Sequence, residues 1–379
     1  LKKLSILFAF LLCFSFSQPT VSALSVSAQY ACVLDAQTGR VIFEKNARER
    51  HSMASTTKIM TALVALENSG LDDLVTVSKN AAGTEGTSLY LKAGDKVTLR
   101  DLLYGLMLQS GNDAAIAIAE HVAGSVDEFA ALMTARAKTI GAKNTSFKNP
   151  NGLDEDGHYT TAYDLALIAR EALKNETFAE IVATKSKTIR DGTQTITNHN
   201  KMLNMYQGCV GVKTGFTKKT GRCLVSSAKR DGKQVVAVTL NAPDDWNDHT
   251  NMLNFAFENT VCFPLIAAGM TVNSVTVKNG TSQSLELTAE RDFYLSESPD
   301  TKFKNAHLTC KLPDSITAPV TKGEVIGAVE IYYQDTLLDT INLIAAADVG
   351  FKEAEKDDLF LKYFKKLLLS GCVKVKFGV

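Results

Sequence analysis

The spacing of apolar positions changes several times along this chain, and each change predicts a different kind of structure. Leu4 to Phe16 is an almost unbroken apolar run behind Lys2-Lys3, followed by two small-residue triplets, Val21-Ser22-Ala23 and Val26-Ser27-Ala28. A basic start, an apolar stretch short for a membrane span and small-residue cleavage sites predict a secretory signal peptide over 1–28. "YACVLDAQTGRVIFEKN" reads as two strands around a turn at Ala36 to Gly39. Ile59, Met60, Ala62, Leu63 and Leu66 recur at helical spacing until Asn68-Ser69-Gly70, so a helix is expected from Ser55. "TLRDLLYGLMLQSGNDAAIAIAEHVAG" predicts two helices broken at Ser110-Gly111-Asn112. Thr98 and Asp101 form a capping box for the first, while Ala114 to Ala119 is apolar all round and predicts deep burial of the second. A further helical pattern lies around Tyr163 to Lys174.

From Gly208 the period drops to that of strands. "GCVGVKTG", "RCLVSSAKR" and "QVVAVTLN" predict three short strands, closed by a helix over roughly Asp248 to Glu258. Strands, then helices, then strands predict an α/β (α+β) domain with an antiparallel sheet and a helical part over 29–263. The character shifts near Phe263-Pro264, and short β-rich runs from Thr271 to Asp348 predict a small all-β, sandwich-like domain over 264–350. In the tail, 351–379, Phe360, Tyr363, Phe364, Leu367 and Leu368 share one helical face, while Lys362, Lys365 and Lys366 lie off it. That pattern predicts a basic amphipathic helix that attaches to a membrane surface.

Composition narrows the choice of partners. The 379 residues carry 41 basic and 41 acidic side chains, a balance that gives no support for a nucleic-acid partner. Six of the cysteines follow the signal segment, with no CxxC and no Cys/His cluster, and the histidines form no HExxH, so neither a metal nor another cofactor is expected. Cys209 and Cys223 could face each other if their strands pair as a hairpin; otherwise free thiols are expected.

Three polar motifs interrupt this apolar framework: Ser55-Thr56-Thr57-Lys58 at a helix start, Ser110-Gly111-Asn112 at a helix break and Lys213-Thr214-Gly215 at a strand end. Ser55 and Lys58 sit one helical turn apart on one face. A serine needs a base to become a nucleophile, and no His/Asp pair stands at a nucleophile elbow. A lysine can serve if burial and a second cation pull its pKa down, and Lys213 is a candidate for that cation.

SxxK, an S-x-N element and KTG in this order resemble the penicillin-recognising serine peptidases, and within them the low-molecular-weight D-alanyl-D-alanine carboxypeptidases. "NPNGLDEDGHYTTAYDLALIAR" and "GVKTGFTKKTGRCLVSSAKRDG" extend the likeness, which covers nearly the whole chain. The resemblance implies a transpeptidase/β-lactamase-like fold and hydrolysis of peptidoglycan stem peptides ending in D-Ala-D-Ala, with β-lactam antibiotics as mimics. It implies Ser55 as nucleophile, Lys58 as general base and Ser110 as a proton relay. Asn112, Lys213, Thr214, Gly215, Phe216 and Thr217 are the implied substrate-binding residues, with an oxyanion hole from the Ser55 and Phe216 N–H groups. It also implies an exported enzyme attached to the outer face of the cytoplasmic membrane.

One departure stands out. Some relatives hold the substrate carboxylate with an arginine beyond the strand meander, where this chain reads "NAPDDWNDHTNML". Carboxylate binding is then left to Lys213, Thr214 and Thr217, with Trp246 a packing residue. Two alternatives share the motifs: a class A-like β-lactamase, which needs a second, glutamate base, and a non-enzymatic wall-binding protein of the same fold.

Overall fold

The computed structural model describes residues 24–301 and 304–352, together with residues 362, 363, 365, 366, 369 and 370. Residues 1–23 of the signal peptide expected over 1–28 lie outside the described residues. So does most of the expected tail helix, of which Tyr363 and Leu369 are described as exposed helical positions.

The first domain is built on a sheet of five strands: Tyr30–Asp35, Val41–Lys45, Cys209–Thr217, Gly221–Arg230 and Lys233–Leu240. Every neighbouring pair is antiparallel, as expected, and the Cys209–Thr217 strand forms one edge. Alternation places the side chains of successive residues on opposite faces. Cys32, Leu34, Cys223, Val225, Val236 and Val238 therefore enter a core with the helices on one side. Ala31, Val33, Leu224, Ala228, Val235 and Ala237 pack on the other side, against Met252, Leu253 and Ala256 of the closing helix.

The helical layer contains Lys58–Asn68, entered through a 3-10 turn over Ala54–Thr57, and Asn112–Ala123, whose stretch from Ala114 to Ala119 is buried as its pattern requires. Val126–Ile140 is a helix the sequence reading passed over, capped by Ser125, whose hydroxyl accepts from the Glu128 N–H. Glu176–Ala183 and the hairpin Ser186–Ile189 with Gln194–Thr197 were likewise not anticipated. At the Thr98 cap, the Asp101 N–H does donate to the Thr98 hydroxyl, but the Asp101 carboxylate accepts from the Arg190 N–H. The box is thus half formed, because a neighbouring loop captures its acid.

The closing helix runs Asp245–Glu258, starting earlier than the expected Asp248. Cys209 and Cys223 lie on paired strands, yet the register sets Cys209 opposite Ala228 and Cys223 opposite Gly215, so both are free thiols. The second domain holds a six-stranded sheet and its own apolar core around Leu287, Val329, Ile331 and Leu343. The boundary expected at 263/264 falls inside the strand Val261–Ile266, which pairs with Phe293–Glu297. The first domain reaches this second one through its Asp35–Arg40 turn. Arg40 Nε lies 3.1 Å from buried Glu297, and the Gln37 amide donates to Tyr294 O at 2.7 Å while accepting from the Ser296 N–H at 2.8 Å.

Candidate active site

The Ser55 turn is clamped from several directions. Ala54 takes a left-handed backbone (φ 48°), so the chain kinks just before the serine. The Thr56 and Thr57 hydroxyls donate back to the carbonyls of Met53 and Ala54. Lys148 N–H donates to Nδ1 of buried His158, which leaves Nε2–H to donate to the Thr57 hydroxyl at 2.8 Å. Burial pushes the His158 pKa down to about 4, so the ring is neutral. Gly152 closes the turn from below: a side chain there would meet Ala54 O at 2.0 Å, and its φ of +88° is one that glycine tolerates best.

Lys58 opens the helix and is fully buried. Its Nζ donates to Asn112 Oδ1 at 2.8 Å and to the Asn151 carbonyl at 2.5 Å, and lies 2.9 Å from Ser55 Oγ. Burial first, and then the charge of Lys213, hold the Lys58 amine well below the ordinary lysine pKa, against an opposing pull from Asp113. In its neutral form this amine would have two protons, for Asn112 and Asn151, and one lone pair for the Ser55 hydroxyl. Asn112 is itself fixed, its Nδ2 donating to Glu85 O at 2.7 Å.

The opposite wall is the edge strand Cys209–Thr217. Lys213 is buried with its pKa lowered to about 7, and its Nζ donates to the Thr214 carbonyl at 3.0 Å. Gly215 is required by the protein's own backbone as much as by a ligand: a Cβ there would lie 3.0 Å from both the Ser55 and the Thr56 amide nitrogens. An edge strand leaves one row of N–H and C=O groups open, which suits a peptide laid alongside it.

Between the walls lies a cleft of about 400 Å³ lined by Ser55, Thr87, Ser110, His199, Lys201, Thr214, Gly215, Phe216, Arg222, Asp245 and Trp246. Ser110 faces it from a left-handed position (φ 62°), and its hydroxyl makes no hydrogen bond among the described residues. The structure thus brings Ser55, Lys58, Ser110, Asn112, Lys213, Thr214, Gly215 and Phe216 to one place. Thr217 is the exception among the expected residues: its hydroxyl accepts from the Thr220 N–H in the turn that follows.

Six residues around the site escaped the sequence reading: Thr87, Asn151, His199, Lys201, Arg222 and Asp245. Asn151 contributes a carbonyl, which no residue pattern reveals, although the Asn151-Gly152 turn signal was visible. His199 and Lys201 arrive on the loop before the edge strand, tied to the helical wall where the His199 N–H donates to Leu108 O. Arg222 and Asp245 come from a neighbouring strand and from the early start of the closing helix. Trp246, read as packing, borders the cleft.

Helical and sheet layers with a serine–lysine pair between them define the penicillin-binding class of active-serine proteins. The chain belongs to the family described as "D-alanyl-D-alanine carboxypeptidase", whose model matches residues 17–244, and residues 262–350 match "Penicillin-binding protein 5, C-terminal domain". It is similar to the D-alanyl-D-alanine carboxypeptidase DacF of Bacillus subtilis, at 36% identity over 92% of this chain and 90% of that one. DacC of Escherichia coli, another D-alanyl-D-alanine carboxypeptidase, is 32% identical over 92% of this chain and 91% of its own. Among solved structures, penicillin-binding protein 5 of Haemophilus influenzae superposes with a TM-score of 0.63 at 28% identity, covering 86% of this chain and 98% of that one.

Proposed function

We propose that this protein is an exported serine-type D-Ala-D-Ala carboxypeptidase acting on peptidoglycan stem peptides. The observation that carries the reading is the Lys58 amine, pinned by Asn112 and Asn151 so that its remaining direction is Ser55 Oγ.

The chemistry runs as acyl transfer. Lys58 takes the Ser55 proton while Oγ bonds to the carbonyl carbon of the penultimate D-alanine. The developing oxyanion is met by the Ser55 and Phe216 N–H groups. The C–N bond then breaks, and the departing amine of the terminal D-alanine receives a proton relayed through Ser110. Water cleaves the ester, restores Ser55 and releases the shortened peptide. A penicillin enters the same cycle but leaves an ester on Ser55 that water reaches slowly.

The carboxylates near the site speak against a β-lactamase. Asp154 accepts from the Thr220 hydroxyl and Glu155 from the Asn149 amide, while Asp245 is paired with Arg222. Among the described residues Asp245 is the acid that lines the cleft, and it is tied to Arg222 where a class A enzyme needs a free glutamate for its deacylating water.

Export follows from the signal segment. Cleavage falls after Ala23 in this reading, because Val26 and Ala28 are buried and the Ser27 and Ala28 N–H groups donate to Asp248. Losing 24–28 would remove those contacts. The tail from Lys352 onward attaches the enzyme to the outer face of the cytoplasmic membrane through the apolar side of its sequence pattern; no described helix is long and apolar enough to cross a membrane.

The test is D-alanine release from a peptide ending in D-Ala-D-Ala. Wild type should release it, and Ser55→Ala should lose at least about a thousandfold in rate. Equal release by both proteins would remove Ser55 from the chemistry.

A further inference from the structure

A substrate that ends in a free carboxylate needs a cation to receive it, and on the proposed reading that group lies just beyond the scissile bond. The segment 241–253 supplies no arginine, and Lys213 is a weak sole anchor because burial lowers its pKa to about 7. We propose that Arg222, on the second strand of the meander, is the carboxylate-recognition residue of this enzyme, held in place by Asp245 and Trp246.

The register supports the placement. Gly215 lies against the Ser55 turn, the next residue along is Phe216, and Arg222 is the cross-strand partner of Phe216. A peptide laid on the open edge with its scissile carbonyl at Ser55 extends its terminal residue by about 3.3 Å in that region. Arg222 lines the same cleft as Ser55 and Thr214, with its side chain 43% exposed.

The guanidinium is aimed and not merely present. Nε and Nη2 both donate to a single oxygen of Asp245, at 3.0 and 2.7 Å, and the Asp245 side chain is only 4% exposed. The plane lies beside Trp246, 5.7 Å from its ring centroid. Nη1 has no partner among the described residues, so donors remain for a carboxylate. Among the described residues Asp245 is the one acid lining the cleft, and it is paired with Arg222, while Lys201 adds a second cation. Arginine keeps its charge at any working pH, unlike the buried lysine opposite it. The residue therefore sets specificity for a free C-terminus, and Asp245 is its positioning partner.

The experiment compares acetyl-D-Ala-D-Ala with its C-terminal carboxamide, binding each to the Ser55→Ala protein by ligand-observed NMR titration. The free acid should bind more tightly than the amide. Adding Arg222→Gln should weaken the acid by about tenfold to a hundredfold and leave the amide unchanged within a factor of about two. Equal affinity for acid and amide, or an acid affinity untouched by Arg222→Gln, would overturn the assignment. Thermal melting checks that each variant folds. If Arg222→Gln does not, Arg222→Lys, which keeps a cation beside Asp245, decides: a loss of about threefold to tenfold confined to the acid supports the fork, and no loss overturns it. Because the comparison is made without the Ser55 hydroxyl, it stands apart from the acyl-serine reading, which penicillin acylation of wild type tests separately.

Discussion

At the scale of single residues the account rests on charge placement. The proposed mechanism uses Lys58 as base, its pKa lowered by burial and by the charge of Lys213, and removing that neighbour has a definite sign. Lys213→Gln deletes a cation that depresses the Lys58 pKa, so the Lys58 value rises. The ascending limb of the pH profile for penicillin acylation should therefore move to higher pH in the variant. An unmoved limb, or one shifted to lower pH, would separate the two lysines. The histidines carry a different pH dependence. His158 and His249 are buried with pKa values lowered to about 4 and about 3. As pH falls below about 6.5 the unfolded chain takes up protons that the folded chain refuses, so stability is full above that pH and is lost toward the folded values. The urea midpoint should fall between about pH 6.5 and 5, and His158→Gln should flatten part of that slope. A midpoint that stays level over this window in wild type would contradict the neutral, hydrogen-bonded assignment.

At the scale of elements, the site is a contact between a turn, a loop and an edge strand. Two glycines permit that contact to different degrees. Gly152→Ala would put a carbon against Ala54 O in a backbone conformation that alanine resists, whereas Gly215→Ala meets amide nitrogens at 3.0 Å. Gly152→Ala should destabilise the domain by more than about 1 kcal/mol and reduce acylation, with the smaller effect at Gly215. Comparing melting and acylation of the two variants tests the order; a silent Gly152→Ala would contradict the packing described here. Legibility in the sequence followed the same division. Ser55, Lys58, Ser110 and Asn112 were readable because each sits where a helical apolar pattern starts or breaks, and Lys213-Thr214-Gly215, inside its strand, was readable as the third motif in series with them. The helix Val126–Ile140 was missed because its buried positions, Phe129, Ala130, Met133 and Ala137, are few and one-sided among charged neighbours. Asn151 was hidden because a carbonyl has no residue signature. Arg222 and Asp245 were hidden because a strand start and a helix start meet only in three dimensions.

At the scale of the whole molecule, two domains are joined by few but specific contacts. Glu297 is fully buried, accepts from the Ser298 N–H and faces Arg40, so Arg40→Met would leave its charge without a facing cation at the junction. The loss should be about 3 kcal/mol, seen as an earlier melting of the second domain with D-alanine release retained. Unchanged melting would show that the junction does not depend on this pair. Chain truncated after 351 should lose attachment to anionic vesicles yet keep peptidase activity. Continued vesicle binding would place the attachment elsewhere.

The most direct test of the central claim is the intact mass of the protein after mixing with benzylpenicillin, beside Ser55→Ala. A single, long-lived penicilloyl adduct on wild type and none on the variant is the result the proposed mechanism expects, with Ser55 as nucleophile and the cleft acid Asp245 tied to Arg222. Rapid loss of the drug without a lasting adduct would mark a β-lactamase. An unmodified protein beside intact drug would contradict the acyl-serine account altogether.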